Sequence, residues 1–195
     1  MSESPIIFEE LPAGSGKIGK ATLNVAATLN SLTLEMVDLL QEKLDAWRGD
    51  NDIAAVFIEG GGEKAFCAGG DTKEAAQSGG YSEGMGYWHS AVHQAIRRIP
   101  KPVIAAVNGY AIGGGHVLHL ICDLTIASDN ARLGQAGPRV GSFDAGLGCS
   151  YLTRVVGEKK AREIWFLCRQ YTAEEALSMG LVNKVVPLDK LEEEV

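Results

Sequence analysis

Long apolar runs are missing from this 195-residue chain. The longest candidates, around Pro102–Val107 and Val117–Cys122, are short and interrupted, far from the roughly 20 residues that a membrane helix needs. Positive charge is not in excess either. Eighteen Lys and Arg face 25 Asp and Glu, for a net charge of −7. Residues 1–100 carry 8 basic and 14 acidic side chains and residues 101–195 carry 10 and 11, so neither half offers a basic face to a phosphate backbone, which argues against nucleic-acid binding. The start, Met1-Ser-Glu-Ser-Pro, lacks a basic-then-apolar signal pattern. The four cysteines (Cys67, Cys122, Cys149, Cys168) form no CxxC and read as reduced thiols of a cytoplasmic protein. No metal is expected: His89 and His93 stand four apart, but no glutamate follows His89 in HExxH fashion and no third ligand is evident.

Glycine, by contrast, is abundant, with 24 residues. It implies tight turns or backbone that closely approaches a ligand. Between the glycines, strands alternate with helices. Ile18–Ala26 reads as a strand. Ser31 or Thr33 can cap a helix whose apolar positions are Leu34, Val37, Leu40, Leu44 and Trp47. Ile53–Ile58, Val103–Val107, Leu124–Ala127 and Val182–Val186 are further strands. Helices are expected over Tyr87–Arg98, from Gly113-Gly-Gly115 to about Cys122, and near Tyr151–Val156, Lys159–Leu167 and Ala173–Met179. Residues 72–86 and 134–148 are polar and Gly-rich and read as loops, the first of them mobile. The class is α/β, in one domain over residues 1–195. A strand, a glycine turn and a helix recur at 65–71 and 109–115 as a loosely repeated ββα unit.

A turn of small residues entering a helix exposes backbone N–H groups that can stabilise developing negative charge. Two such turns, near Ala68 and near Gly114, are able to converge on one oxygen. Other glycine motifs fail on spacing. There is no GxxxxGK[ST], Tyr151 stands where Gly146-Leu-Gly148 would need its third glycine, and no GxSxG exists.

The stretches Ala65-Phe-Cys-Ala-Gly-Gly-Asp71, Pro100-Lys-Pro-Val-Ile, Asn108-Gly-Tyr-Ala-Ile-Gly-Gly-Gly115 and Cys122-Asp-Leu-Thr-Ile-Ala resemble the crotonase (enoyl-CoA hydratase/isomerase) superfamily. The resemblance covers nearly the whole chain. It implies a spiral of repeated ββα units and an acyl-CoA thioester as substrate, so that coenzyme A arrives as part of the substrate. It also implies an oxyanion hole from the N–H groups of Ala68 and Gly114, substrate contacts from Gly70, Asp71 and Lys73, and a homo-oligomer, a trimer or a dimer of trimers. Family members run longer at the C-terminus, so the C-terminal helical part is expected to be short or missing.

Hydratases of this family use two glutamates to activate water. Their positions here are Val117 and Gly137, neither of which can transfer a proton. Gly134-Gln-Ala-Gly-Pro-Arg-Val-Gly-Ser-Phe-Asp-Ala-Gly146, Gly113-Gly-Gly-His-Val-Leu-His119 and Lys159–Tyr171 look instead like the 1,4-dihydroxy-2-naphthoyl-CoA synthases of menaquinone biosynthesis. That likeness implies catalytic roles for Ser142, Asp144 and Tyr81, and a bicarbonate base in a pocket formed by Gln135, Gly137 and Trp165. Read without the family, Ser142 and Asp144 could equally form an Asx-type turn among glycines. The chain departs from the synthases at Ala136, where threonine is usual, and at Ala75, where an arginine grips the substrate carboxylate. Gln135–Arg139 and Asp71–Glu74 also resemble ring-opening 2-oxoacyl-CoA hydrolases, and residues 20–71 resemble 3-hydroxyisobutyryl-CoA hydrolases. A catalytically weak acyl-CoA-binding protein is the remaining alternative. Of the other reactive side chains, His116 and His119 read as helix packing with polar tips. Lys159, Lys160 and Arg162 suit either CoA phosphates or a solvated face. Cys67 has nothing nearby in sequence to lower its pKa.

Overall fold

A computed structural model describes residues 4–77, 83–143 and 146–195; for residues 83–89 it describes the backbone alone. The chain enters through a hairpin, β1 (Ile6–Ala13) and β2 (Gly16–Leu23), and then forms α1 (Leu34–Gly49). Three steps of one kind follow. Each places a strand in a large sheet and the next short strand in a small sheet: β3 (Ile53–Gly60) then β4 (Ala65–Cys67), β5 (Val103–Val107) then β6 (Tyr110–Ile112), and β7 (Leu124–Ser128) then β8 (Arg132–Gly134). Helices α2 (Thr72–Gln77) and α3 (Glu83–Arg98) follow the first step, and α4 (Gly114–Ile121) the second. After the third come a single turn of 3₁₀ helix at 137–140, α5 (Gly148–Val156), α6 (Glu158–Leu167), β9 (Gln170–Thr172), α7 (Ala173–Ser178), β10 (Lys184–Val186) and α8 (Leu191–Glu194).

The large sheet runs β1-β2-β3-β5-β7-β10 and the small one β4-β6-β8-β9. Among the described residues the antiparallel pairs are β1 with β2 and β8 with β9, each at one edge of its sheet. The remaining pairs are parallel, as ββα repetition demands, because each return to the large sheet needs a crossover. This is the α/β spiral expected from the sequence. Three strands were not expected, β1, β8 and β9, of which β1 and β9 lie at sheet edges.

Helix α1 starts where the sequence places its cap: the Thr33 hydroxyl accepts the Met36 N–H at 3.3 Å. Met36, Val37, Leu40, Leu44 and Trp47 face inward, each burial worth about 1.5–3 kcal/mol. They meet Val92, Ala95 and Ile96 of α3 and the inner face of the large sheet in one continuous core. Residues 72–86 are not loop throughout, since α2 and the first turn of α3 fall inside that range. The cause is long-range: Glu74 accepts the Leu34 N–H at 2.9 Å, and Ser31 donates to Asp71 at 2.9 Å, tying α2 to the start of α1.

Candidate active site

The two glycine turns meet where the small sheet ends. Strand β4 delivers residues 68–70 and strand β6 delivers residues 113–114, and the two strands pair in parallel. Gly69, at φ 102°, and Gly113, at φ 59°, adopt backbone angles that favour glycine, and each bend turns the next N–H out of its strand. The Gly113 turn is held from the β8 side. Its N–H donates to the Gly134 carbonyl at 3.0 Å, and the buried Gln135 amide donates to the Gly113 carbonyl at 3.5 Å.

The turns are close. An atom one bond out from Gly114 Cα, in the side-chain direction, would lie 3.4 Å from Gly70 N, and one at Gly69 would lie 3.1 Å from Gly114 N. Among the described residues neither the Gly70 N–H nor the Gly114 N–H has a hydrogen-bond acceptor. Gly114 opens α4, so the positive end of the helix dipole adds to its N–H. Two adjacent free donors at the end of a sheet are suited to holding one oxygen as it gains negative charge.

This corrects the expectation for Ala68. Its N–H donates to the Leu29 carbonyl at 3.0 Å and is not available to a substrate. The donor on that arm is Gly70, expected only as a substrate contact. Asp71 is corrected in the same way. One carboxylate oxygen accepts the N–H groups of Lys73 and Glu74, both at 2.9 Å, and the other accepts the Ser31 hydroxyl. Asp71 is thus the cap of α2, and these bonds hold its carboxyl below the usual carboxylate range. Lys73 stands exposed on the first turn of α2.

The hydratase glutamate positions offer no proton carrier. Val117 is fully buried in α4. At Gly137 the side-chain direction is filled by Ser142, whose carbonyl oxygen would lie 2.7 Å and hydroxyl 3.2 Å from an added Cβ. Ser142 also donates its N–H to the Gly137 carbonyl at 2.9 Å. Ser142 and Gly137 are therefore neighbours. Trp165, on α6, packs against Phe143 with ring centroids 4.9 Å apart and planes tilted by 47°, and is buried, with its indole N–H lacking a partner among the described residues. With Phe143, Cys149 and Phe166 it lines a cavity of about 270 Å³. A second cavity, of about 310 Å³, lies between residues 26–30 and 61–65, beside the Leu29 carbonyl that holds Ala68. Tyr81 and Asp144 lie outside the described residues.

Gly115 sets how tightly the two arms pack. A side chain there would run into the Cys67 carbonyl, and no rotamer change relieves a clash with backbone. Gly115→Ala is expected to destabilise the fold by about 3 kcal/mol, through overpacking at a rigid contact. Urea denaturation measures it, and a change under about 0.5 kcal/mol would mean that the contact yields.

A family model described as enoyl-CoA hydratase/isomerase matches residues 14–195. An enoyl-CoA hydratase from Bacillus anthracis superposes with a TM-score of 0.91 at 34% identity, over 98% of this chain and 73% of that one. A monofunctional enoyl-CoA isomerase from M. smegmatis is also 34% identical, with a TM-score of 0.80 over 97% of this chain and 80% of its own. With the ββα spiral and the paired glycine turns in place, this chain belongs to the enoyl-CoA hydratase/isomerase family.

Proposed function

We propose that the protein is an acyl-CoA enzyme in which the N–H groups of Gly70 and Gly114 hold the thioester oxygen while an enolate forms. We further propose that the enolate makes a carbon–carbon bond, in a ring closure of the intramolecular Claisen type. The observation that carries the first part is the adjacent pair of donors without acceptors. What supports the second is the loss of both glutamate positions, to a buried Val117 and to a Gly137 backed by Ser142, together with the likeness of 134–146 to the naphthoyl-CoA synthases. An enolate site needs a proton carrier within reach. On that likeness the carriers are Asp144, Ser142 and Tyr81.

A bicarbonate base beside Gly137 does not fit the residues as they stand. One bond out from Gly137 Cα the Ser142 carbonyl and hydroxyl are already met, and a carbonyl oxygen repels an anion. The Trp165 N–H, without a partner among the described residues, is a feature in favour. No step is routed through bicarbonate.

One observation favours a second reading, the ring-opening 2-oxoacyl-CoA hydrolase. Ala75, standing where the synthases have a carboxylate-gripping arginine, is buried in α2, so that position offers no cation to a substrate. Turnover of o-succinylbenzoyl-CoA against an alicyclic 2-oxoacyl-CoA, each with and without bicarbonate, separates the readings. Product from the first supports ring closure and product from the second supports ring opening; product from neither, with CoA esters still bound, makes it a binding protein. On whichever substrate turns over, Asp144→Asn keeps the shape and removes the ionisable group. It is expected to lower kcat about 10²-fold, and undiminished kcat removes Asp144 from the proton path.

A further inference from the structure

We propose that Cys67 is a positioning residue for the paired donors, its sulfur fixing the direction of the Gly70 N–H and its carbonyl fixing the seat of the helix that carries Gly114. The inference rests on the reading of that pair as a thioester-oxygen site and moves one step back from the substrate.

Cys67 touches both arms. Its Sγ accepts the Gly69 N–H at 3.4 Å, and its S–H points back to the Gly69 carbonyl at 3.9 Å. The side chain thereby closes a small ring over residues 68 and 69, much as an aspartate or serine closes a side-chain turn. Inside that ring sits Gly69, whose positive φ aims Gly70 away from the strand. The Gly69 carbonyl is anchored in turn by the Leu32 N–H at 2.8 Å. On the other side, the Cys67 carbonyl and Cβ lie against Gly115, the residue after Gly114, with no room for a side chain between them. One residue at the end of β4 thus braces the 67–70 turn and the first turn of α4.

The thiol is suited to this and to little else. Cys67 is fully buried, and burial pushes its pKa up to about 12, so it stays protonated and is a poor nucleophile. Without the sulfur, the buried Gly69 N–H loses its acceptor, and the glycine hinge beside it resists rotation least of any residue. Drift of a donor by about 1 Å costs a reaction up to about 10²-fold, while binding contacts made elsewhere are untouched.

The test compares Cys67→Ala, which removes the acceptor, with Cys67→Ser, which keeps one. Two readouts are taken: the carbonyl stretch of a bound aryl-acyl-CoA thioester by difference infrared spectroscopy, and kcat and KM on the substrate that turns over. The parent is expected to lower the carbonyl frequency. Cys67→Ser should retain the shift, and Cys67→Ala should lose most of it, with kcat down about tenfold or more and KM changed less than about twofold. If Cys67→Ala keeps the parental shift and kcat, or if the alanine and serine variants lose them alike, the inference is overturned. If the parent itself shows no shift, the reading of the donor pair fails first and the inference falls with it. Should Cys67→Ala not fold, the isosteric pair Cys67→Val and Cys67→Thr asks the same question at constant shape: the threonine variant is expected to keep the shift and the valine variant to lose it. Equal behaviour of the two overturns the proposal.

Discussion

Gly114→Pro is expected to keep the fold and lose about 10²–10³ of kcat, the usual effect of removing one oxyanion donor. Proline has no N–H, and its ring carbon stands where the hydrogen pointed. The position tolerates it for four reasons. Gly114 is the first residue of α4, where proline is well accepted because that N–H has no helical partner. Its backbone φ lies outside the left-handed range. The added Cβ would meet Gly69 and Gly70 at 3.4–3.6 Å, which is ordinary contact. The residue before it is a glycine, the least constrained by a following proline. The donor acts most strongly once the oxygen carries charge, so the loss belongs in kcat more than in KM. Circular dichroism and the melting temperature report the fold, and steady-state kinetics report the rest. Full turnover in a folded Gly114→Pro enzyme would show that the two N–H groups are only turn geometry.

Much of this was legible in the residues, and the exceptions share a cause. Helix α1 and strands β3, β5 and β7 announce themselves through apolar spacing and through a cap at Thr33, all local signals. Strands β1 and β9 do not, because an edge strand is half wet and needs no apolar run. Helix α2 was hidden because its neighbourhood is glycine-rich and its ties, Ser31 to Asp71 and Leu34 to Glu74, span 40 residues of sequence. The site shows the same division. Both glycine turns could be read, and the Gly114 N–H has no acceptor among the described residues. Ala68 was read as a donor to substrate, since nothing near it in sequence says that its N–H is held by the Leu29 carbonyl. Asp71 misled in the opposite way: as an aspartate directly before a helix it is a cap by local rules, and the family likeness drew attention to substrate instead.

Below pH 6.5 the unfolding free energy is expected to fall by about 2.7 kcal/mol per pH unit through His116 and His119 alone. Both are fully buried on α4. Thr125 donates its hydroxyl proton to the His119 carbonyl at 3.2 Å, so its oxygen accepts from His119 Nδ1 at 3.2 Å. His119 Nε2 is then the bare nitrogen and accepts from His116 Nδ1 at 3.2 Å. The chain is complete only when His119 is neutral, because a proton on its Nε2 would face the N–H of His116, while a proton on His116 Nε2 would be buried with no acceptor among the described residues. Burial pushes His116 down to about 4, and burial together with His116 pushes His119 well below its ordinary value. The unfolded chain takes up both protons near pH 6.5, whereas folded His116 takes up its proton only at about pH 4 and folded His119 only well below its ordinary value. Stability is therefore whole above pH 6.5 and drains away as pH falls toward 4, at 1.36 kcal/mol per unit for each ring. Two units remove about 5 kcal/mol, a large part of what a domain of this size has. The carboxyls of Asp71 and Glu163, held below their usual range, begin to contribute only at lower pH, so the windows separate. Urea unfolding at intervals from pH 7 to pH 5 measures the slope. His116→Gln and His119→Gln should each flatten it by about half, and an unchanged slope in both would place the proton uptake elsewhere. The same two rings lie within two turns of Gly114 on one helix, so the acid limit of stability and one of the two proposed donors reside in a single element.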